Sequence, residues 1–203
     1  MKNFIAMTAF AVSTLLFSAC GTSKVNAQSP VNSAIGQKVE LDPVMEYAEQ
    51  NPAIREFGVG QHFKEATAKN TATAQARGGY ANSLQAAIVA ACEESNIDLT
   101  QYAGDDESGK TVSDQSSMGG DFVRSIAAEI VKNTHPVKYS RYVLPNKQWK
   151  YYVCIEYMAN AEQLAKDVEK KLEEKISPED RVKLEERHEK FRQSILNNLN
   201  QGE

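Results

Sequence analysis

The chain has 203 residues, 41% hydrophobic and 25% charged, with 27 acidic side chains against 23 basic and a formal net charge of -4 at pH 7. That length allows one domain with a core of its own plus extra helices. The acidic balance gives no support to binding of nucleic acid or of anionic lipid. The first residues, MKNFIAMTAFAVSTLLF, set one lysine before an apolar run from Phe4 to Phe17, and the small residues Ser18 and Ala19 follow. This is the layout of a secretory signal, predicted over residues 1–19. At about 14 residues the run is short for a membrane span, which needs roughly 20.

Ser18 and Ala19 directly before Cys20 resemble the lipobox of bacterial lipoproteins. The resemblance implies that the Cys20 thiol takes a diacylglycerol and becomes the new amino terminus. An ordinary secretion signal with an incidental cysteine is the alternative. Acyl chains gaining on the order of 0.8 kcal/mol per buried methylene would hold the chain at a membrane without a spanning helix. The implied place is the bacterial cell envelope. Cleavage after residue 19 removes only Lys2 among the charged residues, so the remaining chain stays acidic.

Residues 20–40, with GTSKVNAQSPVNSAIGQ, are small and polar and read as a flexible tether. Extended, some 20 residues reach at most about 65 Å. An α+β domain is predicted over 41–160 and a helical carboxy-terminal extension over 161–203. A short helix is expected around Pro43 to Gln50. The stretch EFGVGQHF alternates Phe57, Val59 and Gln61 with Gly58, Gly60 and His62, which suits a strand with two places for close approach of another backbone.

An alanine-rich stretch follows, with an apolar face at Ala81, Leu84, Ile88 and Ala91. It predicts a long helix with Gly78 and Gly79 as a weak point or a close-packing spot. A polar loop from about Asn96 to Ser117 leads to a second helix through Phe122, Ile126 and Ile130, capped by Asp121 or Ser117. Two runs rich in Val, Tyr and Trp then flank Pro145, Asn146 and Lys147 as an antiparallel hairpin. On the second run Trp149, Tyr151, Val153, Ile155 and Tyr157 form a core face, and Lys150, Tyr152, Cys154 and Glu156 a semi-exposed one. Asn160 with Gln163 starts a helix to about Lys175, and Ser177 before Pro178 starts another to about Asn198. Leu184, His188, Phe191, Ile195 and Leu199 make a narrow stripe on that last helix, able to pack on its own domain or on a partner helix.

The GVGQ strand, the helix with ATAQARGGYANSL, the second helix and the hairpin ending WKYYVCIEY resemble the LPP-twenty family of bacterial envelope lipoproteins. The residues that carry the likeness are Ala72, Ala76, Arg77, Ala81 and Leu84 on the helix, with Trp149, Tyr152 and Val153 in the last strand. It covers roughly residues 55 to 160. The resemblance implies a small α+β domain, an envelope or assembly role at the outer membrane, facing the periplasm or the surface, and no active site to carry over. The helical carboxy terminus departs from the family's pattern.

Sharper motifs compete with bland readings. GDDESGKT, Gly104 to Thr111, matches the phosphate-loop expression letter for letter. Asp105, Asp106 and Glu107, however, place carboxylates where phosphates would sit, and the flanks are a poor strand and a poor helix, so a solvated acidic loop is expected. The same cluster lacks the acid spacing of a calcium loop. His62, His135 and His188 show no paired ligand spacing, so no metal site and no cofactor are expected. Cys92 with His62 or His135 would make a thiol dyad, but Cys92 on an alanine-rich helix reads as a small buried thiol. Cys92 and Cys154 are expected to be free rather than paired. Glu93 with Glu94 and Glu173 with Glu174 read as solvated surface.

The expectation is therefore a lipid-anchored envelope protein without catalysis, acting in assembly or protein interaction with an envelope partner or in a homo-oligomer. Its interaction surface would be the stripe of Leu184, His188, Phe191 and Ile195, or the Tyr152 side of the sheet. The alternative is a small-molecule or glycan-binding lipoprotein with Tyr139, Tyr142, Trp149 and Tyr151 around a pocket. A hydrolase would need a convergent nucleophile and base that the order of residues does not supply.

Overall fold

REFGVGQH alternates small residues with large ones, and in the computed structural model it forms strand β1 (Arg55–His62). The structure describes residues 41–102 and 120–201. Before β1 comes the short helix α1 (Pro43–Glu49), started by Asp42, whose carboxylate accepts the Val44 N–H at 2.9 Å. After β1 runs α2 (Glu65–Glu94), whose 30 residues make about 45 Å of helix. A 3-10 turn at Leu99–Tyr102 and helix α3 (Gly120–Val131) follow, then the hairpin strands β2 (Thr134–Val143) and β3 (Trp149–Tyr157). Helices α4 (Ala161–Glu173), α5 (Pro178–Glu186) and α6 (His188–Asn200) complete the α+β fold.

The strands form one antiparallel sheet in the order β1-β3-β2, so the most apolar strand is central. Gly58 and Gly60 set the distance between this sheet and α2. A Cβ on Gly58 would lie 2.2 Å from the Ala72 carbonyl oxygen, and one on Gly60 would lie 2.0 Å from that of Ala68. With Ala68, Ala72 and Ala76 as the facing residues, strand and helix backbones meet almost directly. The close approach expected from the two glycines is therefore present. Gly78 is different: a Cβ there meets nothing within 4 Å, and α2 runs unbroken through both helical glycines.

Beyond the sheet, the second half of α2 is the spine of the main core. Tyr80, Leu84, Ile88, Ala91 and Cys92 pack with Ile126 and Ile130 of α3, Leu164 and Leu172 of α4, and Leu184, Phe191, Ile195 and Leu199 of α5 and α6. Residues 161–201 are thus part of the same hydrophobic core as the sheet and its helices, not an appended tail. The single helix expected from Pro178 to Asn198 is also two: Arg187 leaves the helical region at φ -124° and ψ 15°, and the chain restarts at His188. Lys190 on the restarted helix donates to the Glu94 carbonyl at 3.0 Å and so ties α6 to the end of α2. The caps at Asn160 and Ser177 are as expected, accepting the N–H of Gln163 at 2.8 Å and of Asp180 at 3.2 Å. The Gln163 side chain does not complete a box, since it donates to Asp167 instead. Asp121 is no cap either: it lies inside α3 and pairs with Arg124 at 2.7 Å, and Ser117 is outside the described residues.

Candidate functional site

The stripe Leu184, Phe191 and Ile195 is fully buried, each at 0% exposure, against the chain's own α2 and α4. It is therefore not an interaction surface. The apolar spacing was real, but it serves the intramolecular core, one of the two uses open from the sequence. His188 stands apart from it, half-exposed, with Nδ1 2.9 Å from the Glu185 carbonyl oxygen. Tyr152 is half-buried under α1 with Tyr47, Phe57 and Cys154, so that side of the sheet is partly covered.

The four aromatics of the expected pocket do not face one space. In antiparallel pairing, directly opposed residues share a face. The register places Tyr139 opposite Val153, Arg141 opposite Tyr151 and Val143 opposite Trp149, on the α2 side. Tyr142 pairs with Lys150 and belongs to the α1 side, where its hydroxyl donates to Asp42 at 2.8 Å. Tyr151 is buried and donates to Glu65, whereas Tyr139 and Tyr142 are exposed. A groove lies elsewhere. It has a volume of about 970 Å³ and is lined by residues including Glu49, Arg55, Glu56, Asn82, Ser83 and Asn198. In it Glu56 is half-buried, accepts the Phe57 N–H at 2.9 Å, and is pushed above the usual carboxylate range by desolvation.

What the hairpin does bring together is charge. From Thr134 to Tyr152 the chain carries Lys138, Arg141, Lys147 and Lys150 and no acid, in a protein that is acidic overall. Lys69 of α2 lies 5.2 Å from the Tyr139 ring, Lys138 lies 4.9 Å from Tyr47, and Lys150 lies 4.9 Å from Tyr152. Arg141 pairs with Glu65 at 2.7 Å and sits 6.0 Å from Trp149. Cations over aromatic faces keep their stems ordered and their heads in water. The aromatic content of the hairpin was legible in the sequence. Its one-sided charge was missed, although a count of charged residues along 134–152 would have found it.

The remaining candidates are scattered. His62 pairs with Trp149 at one end of β3 and His135 with Glu156 at the other, roughly 23 Å apart at 3.3 Å per residue. Cys92 lies in the main core near the far end of α2 from His62, so the two make no dyad. Both Cys92 and Cys154 are free and buried, in separate clusters, and desolvation pushes their thiols up to about 12 and about 11. Glu93, Glu94 and Glu174 are exposed and Glu173 half-exposed. Cys20 and the Gly104–Thr111 loop lie outside the described residues. Among those that are described, no helix is long and apolar enough to cross a membrane, and no cluster of His, Cys, Asp and Glu is arranged to hold a metal. Comparison with known proteins finds no matching family, no matching curated protein and no matching solved structure.

Proposed function

We propose that the chain is a lipid-anchored bacterial envelope protein whose folded body works by binding another protein, in assembly or scaffolding, without catalysis of its own. The observation that carries this reading is the basic, aromatic hairpin. It concentrates Lys138, Arg141, Lys147 and Lys150 with exposed Tyr139 and Tyr142 on a molecule of net negative charge. Opposite charge on a partner would steer encounter, and the exposed rings offer anchors of large area. The apolar run before Ser18, Ala19 and Cys20 supports attachment through lipid on Cys20. The likeness to LPP-twenty lipoproteins over residues 55–160 supports an envelope role, and it rests on the residues quoted for it.

Crosslinking in intact cells with a tagged copy tests the reading, with Cys20→Ala as the unanchored control. The expected result is one enriched partner that the control captures far less. Recovery of the monomer alone, with nothing enriched by the anchored form, would count against it. Mass measurement of the amino-terminal peptide tests the anchor separately: a diacylglyceryl group on Cys20 is expected, and an unmodified cysteine refutes it.

A second reading, binding of a small molecule or glycan, draws on the groove beside Glu56 and not on the four aromatics. Ligands that raise the melting temperature of the wild type but not of Glu56→Gln would favour it.

A further inference from the structure

The two edges of the sheet are treated differently. Tyr157 donates its N–H to the Ile54 carbonyl at 2.8 Å, which fixes the even-numbered residues of β1 as those bonded to β3. Arg55, Phe57 and Val59 therefore turn their N–H groups outward. Each is occupied: Arg55 donates to the Asn51 carbonyl at 3.1 Å, Phe57 to the Glu56 carboxylate at 2.9 Å and Val59 to the Gln75 side chain at 2.9 Å. Three of the four outward N–H groups of β1 are thus taken by the chain's own groups; that of Gln61 and the outward carbonyls have no hydrogen-bond partner among the described residues.

The β2 edge is closed over only half its length. Met158 donates to the Asn133 carbonyl at 3.0 Å, so the even-numbered residues of β3 serve β2. Their partners there are Lys138, Ser140 and Tyr142. Near the start of the strand Pro136 has no N–H, the register shifts between Pro136 and Lys138, and Arg77 donates to the outward Thr134 carbonyl at 3.4 Å. These are the usual ways of blunting an edge. From Tyr139 to Val143 none of them operates. The outward N–H and C=O groups of Tyr139, Arg141 and Val143 have no hydrogen-bond partner among the described residues.

We propose that the Tyr139–Val143 edge is a strand-addition site for an extended acidic segment of a partner protein, with apolar residues alternating with Asp or Glu. Main-chain bonds to the open edge would supply affinity, and the two faces of β2 would supply the pattern. On the α2 side an added strand lies beside Tyr139, 59% exposed, and Val143, 62% exposed, which suit its apolar residues, with Arg141, already paired with Glu65 at 2.7 Å, between them. On the α1 side it meets Lys138, with Lys150 on the neighbouring strand, which suits its acids toward the start of the open stretch; farther along, Asp42, held by Ser140 at 2.6 Å and Tyr142 at 2.8 Å, puts a carboxylate on that face. A second copy of this chain would set the same cations against themselves across the new ladder. The inference rests on the protein-interaction reading above and names the chemistry of the partner.

The probe is a fluorescein-labelled heptapeptide of alternating glutamate and valine, titrated against the full chain in detergent micelles and followed by anisotropy. Val143→Pro removes an outward N–H without removing a bond to β3, while Val143→Thr keeps that N–H. Saturable binding is expected for wild type and Val143→Thr, weaker by about tenfold in Val143→Pro. Lys138→Glu, which leaves the backbone alone, should weaken this peptide and strengthen one with lysine in place of glutamate. No saturable binding, equal binding to Val143→Pro, or equal binding of a peptide broken by proline at its centre would overturn the proposal. So would a wild-type dimer that Val143→Pro abolishes, since the edge would then belong to a second copy. In cells, partner capture undiminished by Val143→Pro would overturn the edge and leave the interaction reading standing. If wild type captures nothing, that reading fails, and the peptide alone decides the edge.

Discussion

A methyl group has no room at position 58 or 60. Gly58→Ala places its Cβ 2.4 Å from the Ala76 nitrogen as well as against the Ala72 carbonyl, and helix backbone cannot swing aside as a side-chain tip can. Each substitution is expected to destabilise by about 3 kcal/mol, the upper range of ordinary overpacking, read from urea melts. Gly78→Ala is the internal contrast: it adds a methyl in open space within a helix and should stabilise by about 0.5–1 kcal/mol. Spacing alone identified the first pair of glycines, because a strand alternating glycine with larger residues has few other uses. It could not separate Gly78 from a packing glycine, since that depends on which face of α2 meets the sheet.

The two thiols lead to a similar test. With Cys92 and Cys154 buried and their ionisation pushed up, neither should react with a disulfide reagent in the native protein, and both should react once it is unfolded. Fast labelling of either in native buffer would contradict the packing. Asp180 carries a pH dependence. Burial works to raise its ionisation, but bonds from Lys183 at 2.6 Å and Tyr102 at 2.7 Å, with a further one from Gln101, outweigh this and hold it below the usual carboxylate value. Its contribution to stability is therefore fully present above the unfolded carboxylate value and is lost as pH falls through the depressed folded value. Asp180→Ala should lower the melting temperature at neutral pH, and the gap to wild type should close in acid. A gap that stayed constant with pH would show that the carboxylate charge is not what matters there.

Among the elements, α5 and α6 differ most from what their sequence suggested. The apolar positions were legible, and so was the start at Ser177 and Pro178. What they faced was not, because one stripe serves a core or a partner equally well. The break at Arg187 was also hidden, with neither proline nor glycine to mark it. Phe191→Ala is expected to cost about 3–5 kcal/mol and Leu184→Ala about 2–5 kcal/mol in denaturant unfolding. A side chain reserved for a partner would cost the isolated protein little. The hairpin shows the opposite balance: both strands, the turn and the core face of β3 follow from Val, Tyr and Trp alternation. The separation of Tyr142 from Tyr139 follows from alternation itself, since three residues along a strand change face, and the hairpin register that sets Arg141, not Tyr142, opposite Tyr151 completes it.

Taken whole, the molecule uses its carboxy-terminal helices to build a core around α2. It leaves the far edge of a three-stranded sheet as its open, positively charged surface. The fold class was legible because most elements announced themselves locally, while the candidate surface was not, because it is defined by what the helices leave uncovered. Photocrosslinking in intact cells distinguishes that surface from the rest. A photoreactive residue is placed either at Tyr142, exposed on the hairpin, or at Val182, exposed on α5, each with and without Cys20→Ala. A discrete adduct from position 142, absent from 182 and reduced when Cys20 is lost, is the predicted result. Equal adducts from both positions, or none from 142 in the anchored protein, would contradict an anchored protein that binds its partner through the hairpin.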